Sequence, residues 1–214
     1  GREWHSIVKN ALRCKIITID DLGRDHNAEL VIDQTLGCDG QKYAGVGRCL
    51  VGSEYALLRP SFRSLREKAQ AKTAYHMPAR VLVSMGGMDK DNVTLLVLSC
   101  LANCKKFSIT VLLGASAPNY SSVKDFCDSR KEIEHLGFVD DIASVMLEND
   151  IAVGAPGSTS WERACLGLPN VIIPIANNQA EISRQLISNN ASLKVDVTDI
   201  AAKLEESLDS LLLN

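Results

Sequence analysis

No run of about 18 uninterrupted apolar residues occurs in the chain, so nothing in it reads as a membrane-spanning helix. Aromatic residues are scarce, 5% of 214, which leaves few rings on which bases could stack. Positive charge is not in excess either. With 23 Lys and Arg against 26 Asp and Glu the net charge is −3, and Lys105-Lys106 is a solvated corner, so no nucleic-acid partner is expected. The opening Gly1-Arg2-Glu3-Trp4-His5 has none of the apolar core of a signal peptide. The seven cysteines form no C-x-x-C pair, and their scatter suits reduced, packed thiols in a cytoplasmic protein. Cys100-x3-Cys104 lacks the second pair that a zinc set needs, and the four histidines show no metal spacing, so neither metal nor cofactor is expected. A G-x-S-x-G elbow is missing as well, which removes support for serine hydrolase chemistry.

What remains is an ordinary α/β composition, 46% hydrophobic and 23% charged, with ample material for a core. Residues 15–19 and 29–33 read as buried strands, with a third short apolar piece at Cys49-Leu50-Val51-Gly52. Residues 61–78 are charged, mostly polar and end in Pro78, which suits a connecting helix and linker. From Arg80 strands are predicted near 80–84, 108–113, 132–136, 150–153 and 170–174. Helical patterns lie near 91–103, 121–130, 140–148, 159–167 and 179–190, with a last one from about 199. Such alternation implies a parallel sheet covered on both faces, with ligands beyond the strand C-termini. The expected organisation is residues 1–60 as part of an N-terminal domain, 61–78 as linker and 79–214 as a second α/β domain. Both ends look cut. The chain opens at once in a helical pattern (Trp4, Ile7, Val8, Leu12) that needs an earlier strand to pack on, and it stops inside Leu211-Leu212-Leu213. A fragment is therefore expected, and its truncated sheet edge would suit self-association as a homodimer.

The most informative stretch is Gly154-Ala155-Pro156-Gly157-Ser158-Thr159-Ser160-Trp161-Glu162-Arg163, where an apolar strand ends and a helix opens on glycine and hydroxyl residues. Gly154 and Gly157 allow backbone amides to approach a ligand, and the first helical N–H groups have no internal partner. With the positive end of the helix dipole they suit an anion, a phosphate above all. Thr159-x-x-Glu162 is equally a capping box, which satisfies the same amides without a ligand. On this segment alone capping is the plainer reading.

Other loops at predicted strand ends shift that balance. Ser84-Met85-Gly86-Gly87-Met88-Asp89 offers a Gly-Gly turn, with Asp89 as a potential helix cap; Pro174-Ile175-Ala176-Asn177-Asn178-Gln179 offers amides suited to sugar hydroxyls. Leu136-Gly137-Phe138-Val139-Asp140-Asp141 has a backbone edge on which a nucleobase could pair, and reads as readily as a loop capped by Asp140 or Asp141. Asp20-Asp21 is an acid pair at a strand end, more often a cap beside a solvated neighbour than an acid and base.

Taken in order, these loops resemble those of the UDP-sugar hydrolases of the pseudaminic acid pathway. The matching segments are Ile19-Asp20-Asp21-Leu22, Leu30-Val31-Ile32-Asp33-Gln34, Tyr55-Ala56-Leu57-Leu58-Arg59-Pro60-Ser61-Phe62, Val83 to Asp89, Gly157 to Arg163, and Asn178-Gln179. A looser similarity extends to GT-B glycosyltransferases such as the one that makes lipid II. The resemblance implies a GT-B-like fold, with a Rossmann-like C-terminal domain that holds the nucleotide and part of a Rossmann-like N-terminal one. It implies that Glu162 binds the ribose hydroxyls, Ser158 and Thr159, beside Gly157, the diphosphate, and the backbone of Phe138 and Val139 the uracil. Asn178 and Gln179 would face sugar or diphosphate, and Gly86 and Gly87 would line the cleft. The glycine-rich loop that carries the family's general-base histidine is missing from this chain, so no catalytic residue is assigned.

The implied activity is cleavage of the anomeric C–O bond of a UDP-diacetamido-trideoxyhexose with release of UDP, with little or no turnover by a fragment. The alternatives are a GT-B glycosyltransferase, in which the same site serves transfer to an acceptor, and a non-catalytic nucleotide-binding module. UDP or a UDP-sugar is the partner in each.

Overall fold

The computed structural model describes residues 1–213, which divide into two compact units, the first Gly1–Leu57 and the second from Leu58 onward. In the second unit, strands β4 (Ala79–Ser84), β5 (Phe107–Leu112), β6 (Ile133–Leu136), β7 (Ile151–Gly154), β8 (Asn170–Ile172) and β9 (Leu193–Lys194) form one sheet. Every pairing in it is parallel, and the spatial order is β6-β5-β4-β7-β8-β9. Numbered within the unit this is 3-2-1-4-5-6, the Rossmann-like order in which the chain reverses direction between its first and fourth strands, here β4 and β7. Parallel neighbours need crossovers, and α3 (Val93–Leu101), α4 (Tyr120–Asp128), α5 (Ile142–Glu148), α6 (Ser158–Leu166) and α7 (Ala180–Ser188) supply them. The unit opens on α2 (Pro60–Gln70) and ends on α8 (Ile200–Leu212).

Residue alternation distributes these helices over two faces. Val81, Val83, Ile109, Val111, Ile151, Val153 and Val171 pack with Val97 and Leu98 of α3, Val123 of α4 and Leu204 and Leu208 of α8. Leu82 and Ala152 point the other way, toward Phe62 of α2, Ala143 and Met146 of α5 and Leu166 of α6. Phe62, with no exposed surface, anchors α2 on this second face and contributes about 2–3 kcal/mol of burial. Pro60 at the first helical position costs α2 no hydrogen bond, because that N–H would be unpaired in any case.

The first unit holds α1 (Arg2–Leu12) and a parallel sheet in the order β1 (Ile17–Ile19), β2 (Leu30–Asp33), β3 (Cys49–Val51). Its core is small: Ile16, Ala28, Val31 and Tyr43. β1 is an edge strand, and its Ile17 and Ile19 are exposed. The strands and helices stand close to their predicted positions in both units. β9 is the addition: two exposed residues carry no apolar run by which a sequence could announce them.

Candidate functional site

Strands β4 and β7 lie side by side at the reversal point, with Ser84 in register with Gly154. Two of the loops singled out in the sequence leave the sheet there together, at the C-terminal ends where doubly wound folds form their crevice. Gly86 has φ +91°, in the left-handed region that favours glycine, and a Cβ built on Gly86, Gly87 or Gly157 would meet nothing within 4 Å. The backbone is bare where it faces that space. Gly154 differs. A Cβ there would stand 2.6 Å from both Arg163 Nη1 and the Ser84 carbonyl, so this glycine serves internal packing and not, as expected, the approach of a ligand.

Helix α6 starts one residue before the position at which the Thr159-x-x-Glu162 pattern would cap it. Gly157 is the N-cap; its N–H donates to Ser160 Oγ at 3.2 Å and its carbonyl accepts from Ser160 N–H at 2.9 Å. Thr159 is already inside the helix and its Oγ1 accepts from Arg163 Nη1 at 3.4 Å, so the expected capping box of Thr159 and Glu162 does not form. Gly157 has no side chain with which to accept from the first turn, which leaves the Ser158 and Thr159 amides at the start of the helix without an intrahelical acceptor. Glu162 is half-buried and makes no hydrogen bond among the described residues; burial raises its pKa, while the charges of Arg59 and Arg163 pull it down.

Arg163 is the residue the sequence reading passed over. It is 1% exposed, and its Nη2 donates to the Ala155 carbonyl at 3.3 Å and to Ser160 Oγ at 3.1 Å. Its Nε has no acceptor. Burial lowers the guanidinium to about 10, partly offset by Glu162, so it stays charged at neutral pH. On sequence it is a polar residue next to Glu162, and only the glycine at 154 hints at the room it takes.

The neighbouring helices are closed by their own acids. Asp89 accepts from Val93 N–H at 2.8 Å and Thr94 N–H at 2.9 Å, capping α3 as expected. Asp141 accepts from Ala143 N–H at 3.2 Å and from Ser144 Oγ at 2.6 Å, so α5 is capped too. Between them Phe138 is 80% exposed and Val139 half-buried, and Arg59 Nη1 fastens their loop by donating to the Asp140 carbonyl at 2.7 Å. Arg59 had no assigned role in the sequence reading; it links this loop to the charge of Glu162. Asn178 is exposed, whereas Gln179 Oε1 accepts from Ile175 N–H at 2.8 Å, which leaves only the Gln179 amide nitrogen for a ligand. A cavity of about 670 Å³ flanks that loop, walled by Pro174, Ile175, Asn177, Arg184 and Lys194; it contains none of the residues from Gly157 to Glu162.

In the first unit Asp20 and Asp21 do not act as a pair. Asp20 is buried, accepts from Arg24 N–H at 2.9 Å and from the Arg24 side chain, and lies 3.3 Å from His26 Nε2, whereas Asp21 is exposed. Asp20 anchors the loop after β1. Among the described residues no three or more His, Cys, Asp and Glu are grouped to hold a metal ion, and no helix is long and apolar enough to cross a membrane.

The sequence pattern of the glycosyltransferase family 28 C-terminal domain matches residues 80–214. The spore coat polysaccharide biosynthesis protein SpsG of Bacillus subtilis is 22% identical over 159 residues, 73% of this chain and 46% of the relative. A UDP-N-acetylglucosamine--N-acetylmuramyl-(pentapeptide) pyrophosphoryl-undecaprenol N-acetylglucosamine transferase of Sulfurovum is 26% identical over 136 residues, 58% of this chain and 40% of the relative. The chain thus spans less than half the length of these curated relatives. Among solved structures, the spinosyn rhamnosyltransferase SpnG complexed with thymidine diphosphate superposes with a TM-score of 0.61 at 14% identity, over 97% of this chain and 62% of its own. The likeness is one of fold, α/β and GT-B-like with Rossmann-like parallel sheets.

Proposed function

This chain belongs to glycosyltransferase family 28 by its C-terminal domain, residues 80–214, and from that membership we propose that the crevice beyond β4 and β7 binds the nucleoside diphosphate of a sugar donor, UDP foremost. The observation that carries the reading is the unfilled N-terminus of α6. Where α3 and α5 use a carboxylate, α6 offers the Ser158 and Thr159 amides, a glycine N-cap open to solvent and the positive end of its dipole. Ser158 and Thr159 take the diphosphate, and the Glu162 carboxylate, unused by its own helix, accepts the ribose hydroxyls. The backbone of Phe138 and Val139 takes the base, and Asn178, the Gln179 amide nitrogen and Gly86-Gly87 line the sugar side. Support also comes from the donor named for the Sulfurovum transferase and the thymidine diphosphate bound by SpnG.

The reaction that suits this site is transfer of a sugar from the nucleotide to an acceptor hydroxyl. As the anomeric C–O bond breaks, negative charge develops on the departing diphosphate, and amides already aimed at it stabilise that charge without reorganising. A second reading has water as acceptor and a UDP-diacetamido-trideoxyhexose as substrate; the segments from Ile19 to Gln179 that resemble the UDP-sugar hydrolases favour it. Titration calorimetry with UDP tests the shared site: binding by the chain and loss of about tenfold in Glu162→Ala are expected. An unaltered affinity in that variant, or no binding by the parent, sinks the assignment. Release of free sugar from that UDP-diacetamido-trideoxyhexose in water alone separates hydrolysis from transfer, which needs an acceptor.

A further inference from the structure

We infer that Arg163 is a positioning residue that completes the diphosphate turn with a buried positive charge, so that the site ranks ligands by the negative charge they bring. The inference rests on the nucleotide reading above and deepens it. The guanidinium lies under the turn, bonded to Thr159 Oγ1, Ser160 Oγ and the Ala155 carbonyl, all of them neutral groups of the turn itself. Its Nε has no acceptor, and among the described residues no carboxylate forms an ion pair with it. Three buried carboxylates are treated differently: Asp20 has Arg24, Asp33 has Lys42 and Asp150 has Lys72.

An unpaired buried charge is costly, and an apolar residue of similar size would fill the space at lower cost. Here the cost is increased, because the guanidinium shares its turn with the positive end of α6. Two sources of one sign at one place, with only the half-buried Glu162 nearby, are balanced when an anion docks on the Ser158 and Thr159 amides. Glycine at residue 154 leaves room for this placement: a Cβ there would stand 2.6 Å from Nη1, as well as 2.6 Å from the Ser84 carbonyl. Arg163 also holds the Thr159 and Ser160 hydroxyls, and so braces the turn that presents the free amides.

The test measures UDP, UMP and uridine binding to the full chain by calorimetry, for the parent, Arg163→Lys and Arg163→Met. In the parent, affinity rises from uridine to UMP to UDP. Arg163→Met loses roughly thirtyfold for UDP, less for UMP, and about twofold or less for uridine. Arg163→Lys, which keeps the charge but not the fork of donors, recovers UDP binding to within about fivefold of the parent. Equal losses for UDP and uridine, a Lys variant as weak as the Met variant, or an unchanged UDP affinity in Arg163→Met each overturn the inference. Should Arg163→Met not fold, the Lys variant and the parent's charge series still decide. A parent that binds uridine but gains nothing from the phosphates refutes the role of Arg163 and leaves the base and ribose assignments standing, whereas a parent that binds none of the three refutes the nucleotide reading itself.

Discussion

The two ends of β7 each carry a buried charge, and the fold surrounds them in opposite ways. Before the strand, Asp150 is enclosed by donors: Lys72 Nζ at 2.7 Å, His76 Nδ1 at 2.9 Å, and the N–H groups of His76 and Arg80 at 3.0 and 2.8 Å. After it, Arg163 has neutral acceptors only and an idle Nε. Burial alone would raise the Asp150 pKa, yet the Arg80 N–H, Lys72 and His76 outweigh it and hold the carboxyl below its ordinary value. Nothing comparable relieves Arg163, whose pKa moves against its charged form. A charge enclosed in this way is an anchor, here for the segment between α2 and β4. A charge left open at the crevice end of the same strand is poised for something from outside. That distinction separates structural from functional polarity better than burial does, since both side chains are buried.

Substitutions at the two ends should therefore fail in different measurements. The largest effect is expected from Gly154→Ala, where the added methyl meets the Ser84 carbonyl, a backbone atom that cannot rotate away: a loss of about 3 kcal/mol in urea unfolding, with UDP binding lost as the turn shifts. Asp150→Asn should cost about 2–3 kcal/mol, because Lys72 loses its counter-charge and the contacts with His76 are weakened, and leave UDP affinity unchanged. The stabilisation due to Asp150 is present above the unfolded carboxyl value of 3.8 and is lost as pH falls through its lower folded value; acid unfolding followed by circular dichroism should show this step missing from the variant. Asp89→Ala removes the cap of α3, which sits beside α6 in role but not in chemistry, and should cost about 2 kcal/mol with UDP affinity within about twofold. If UDP binding instead fell with Asp89, the contrast between a closed and an open helix start would be wrong.

Much of this was legible in the residues. Short apolar runs such as Ile151-Ala152-Val153 and regular helical spacings gave the order of strands and helices in the second unit, since buried parallel strands have little freedom in composition. The turns at Gly86-Gly87 and Gly157 were visible for the same reason, as glycine punctuation between such runs. The cap of α6 lies two residues before the one that the sequence suggests: Thr159-x-x-Glu162 fits the capping pattern, but a pattern does not say which residue leaves helical geometry, and Gly157 with Ser160 takes that role. Arg163 was not legible at all. Its burial depends on a glycine a full turn and strand end away, a tertiary fact with no local signature.

The smallest effect is also the one that isolates Glu162 from its helix. With its folded pKa raised above the ordinary 4.5 by burial, against the pull of Arg59 and Arg163, Glu162 binds its proton more tightly folded than unfolded. Its contribution to the stability of the free protein is therefore greatest at low pH and is lost as pH rises through the folded value. UDP binding must run the other way if the ribose hydroxyls donate to the ionised carboxylate: affinity should fall as pH drops through that same raised value. UDP itself gains protons in this region, so the informative quantity is the ratio of parent to Glu162→Gln affinities. It should be about tenfold at pH 8 and shrink toward one as the parent's carboxyl is protonated, measured by calorimetry in matched buffers. A ratio that does not change with pH would mean that the carboxylate serves the fold, and α6 would then resemble α3 after all.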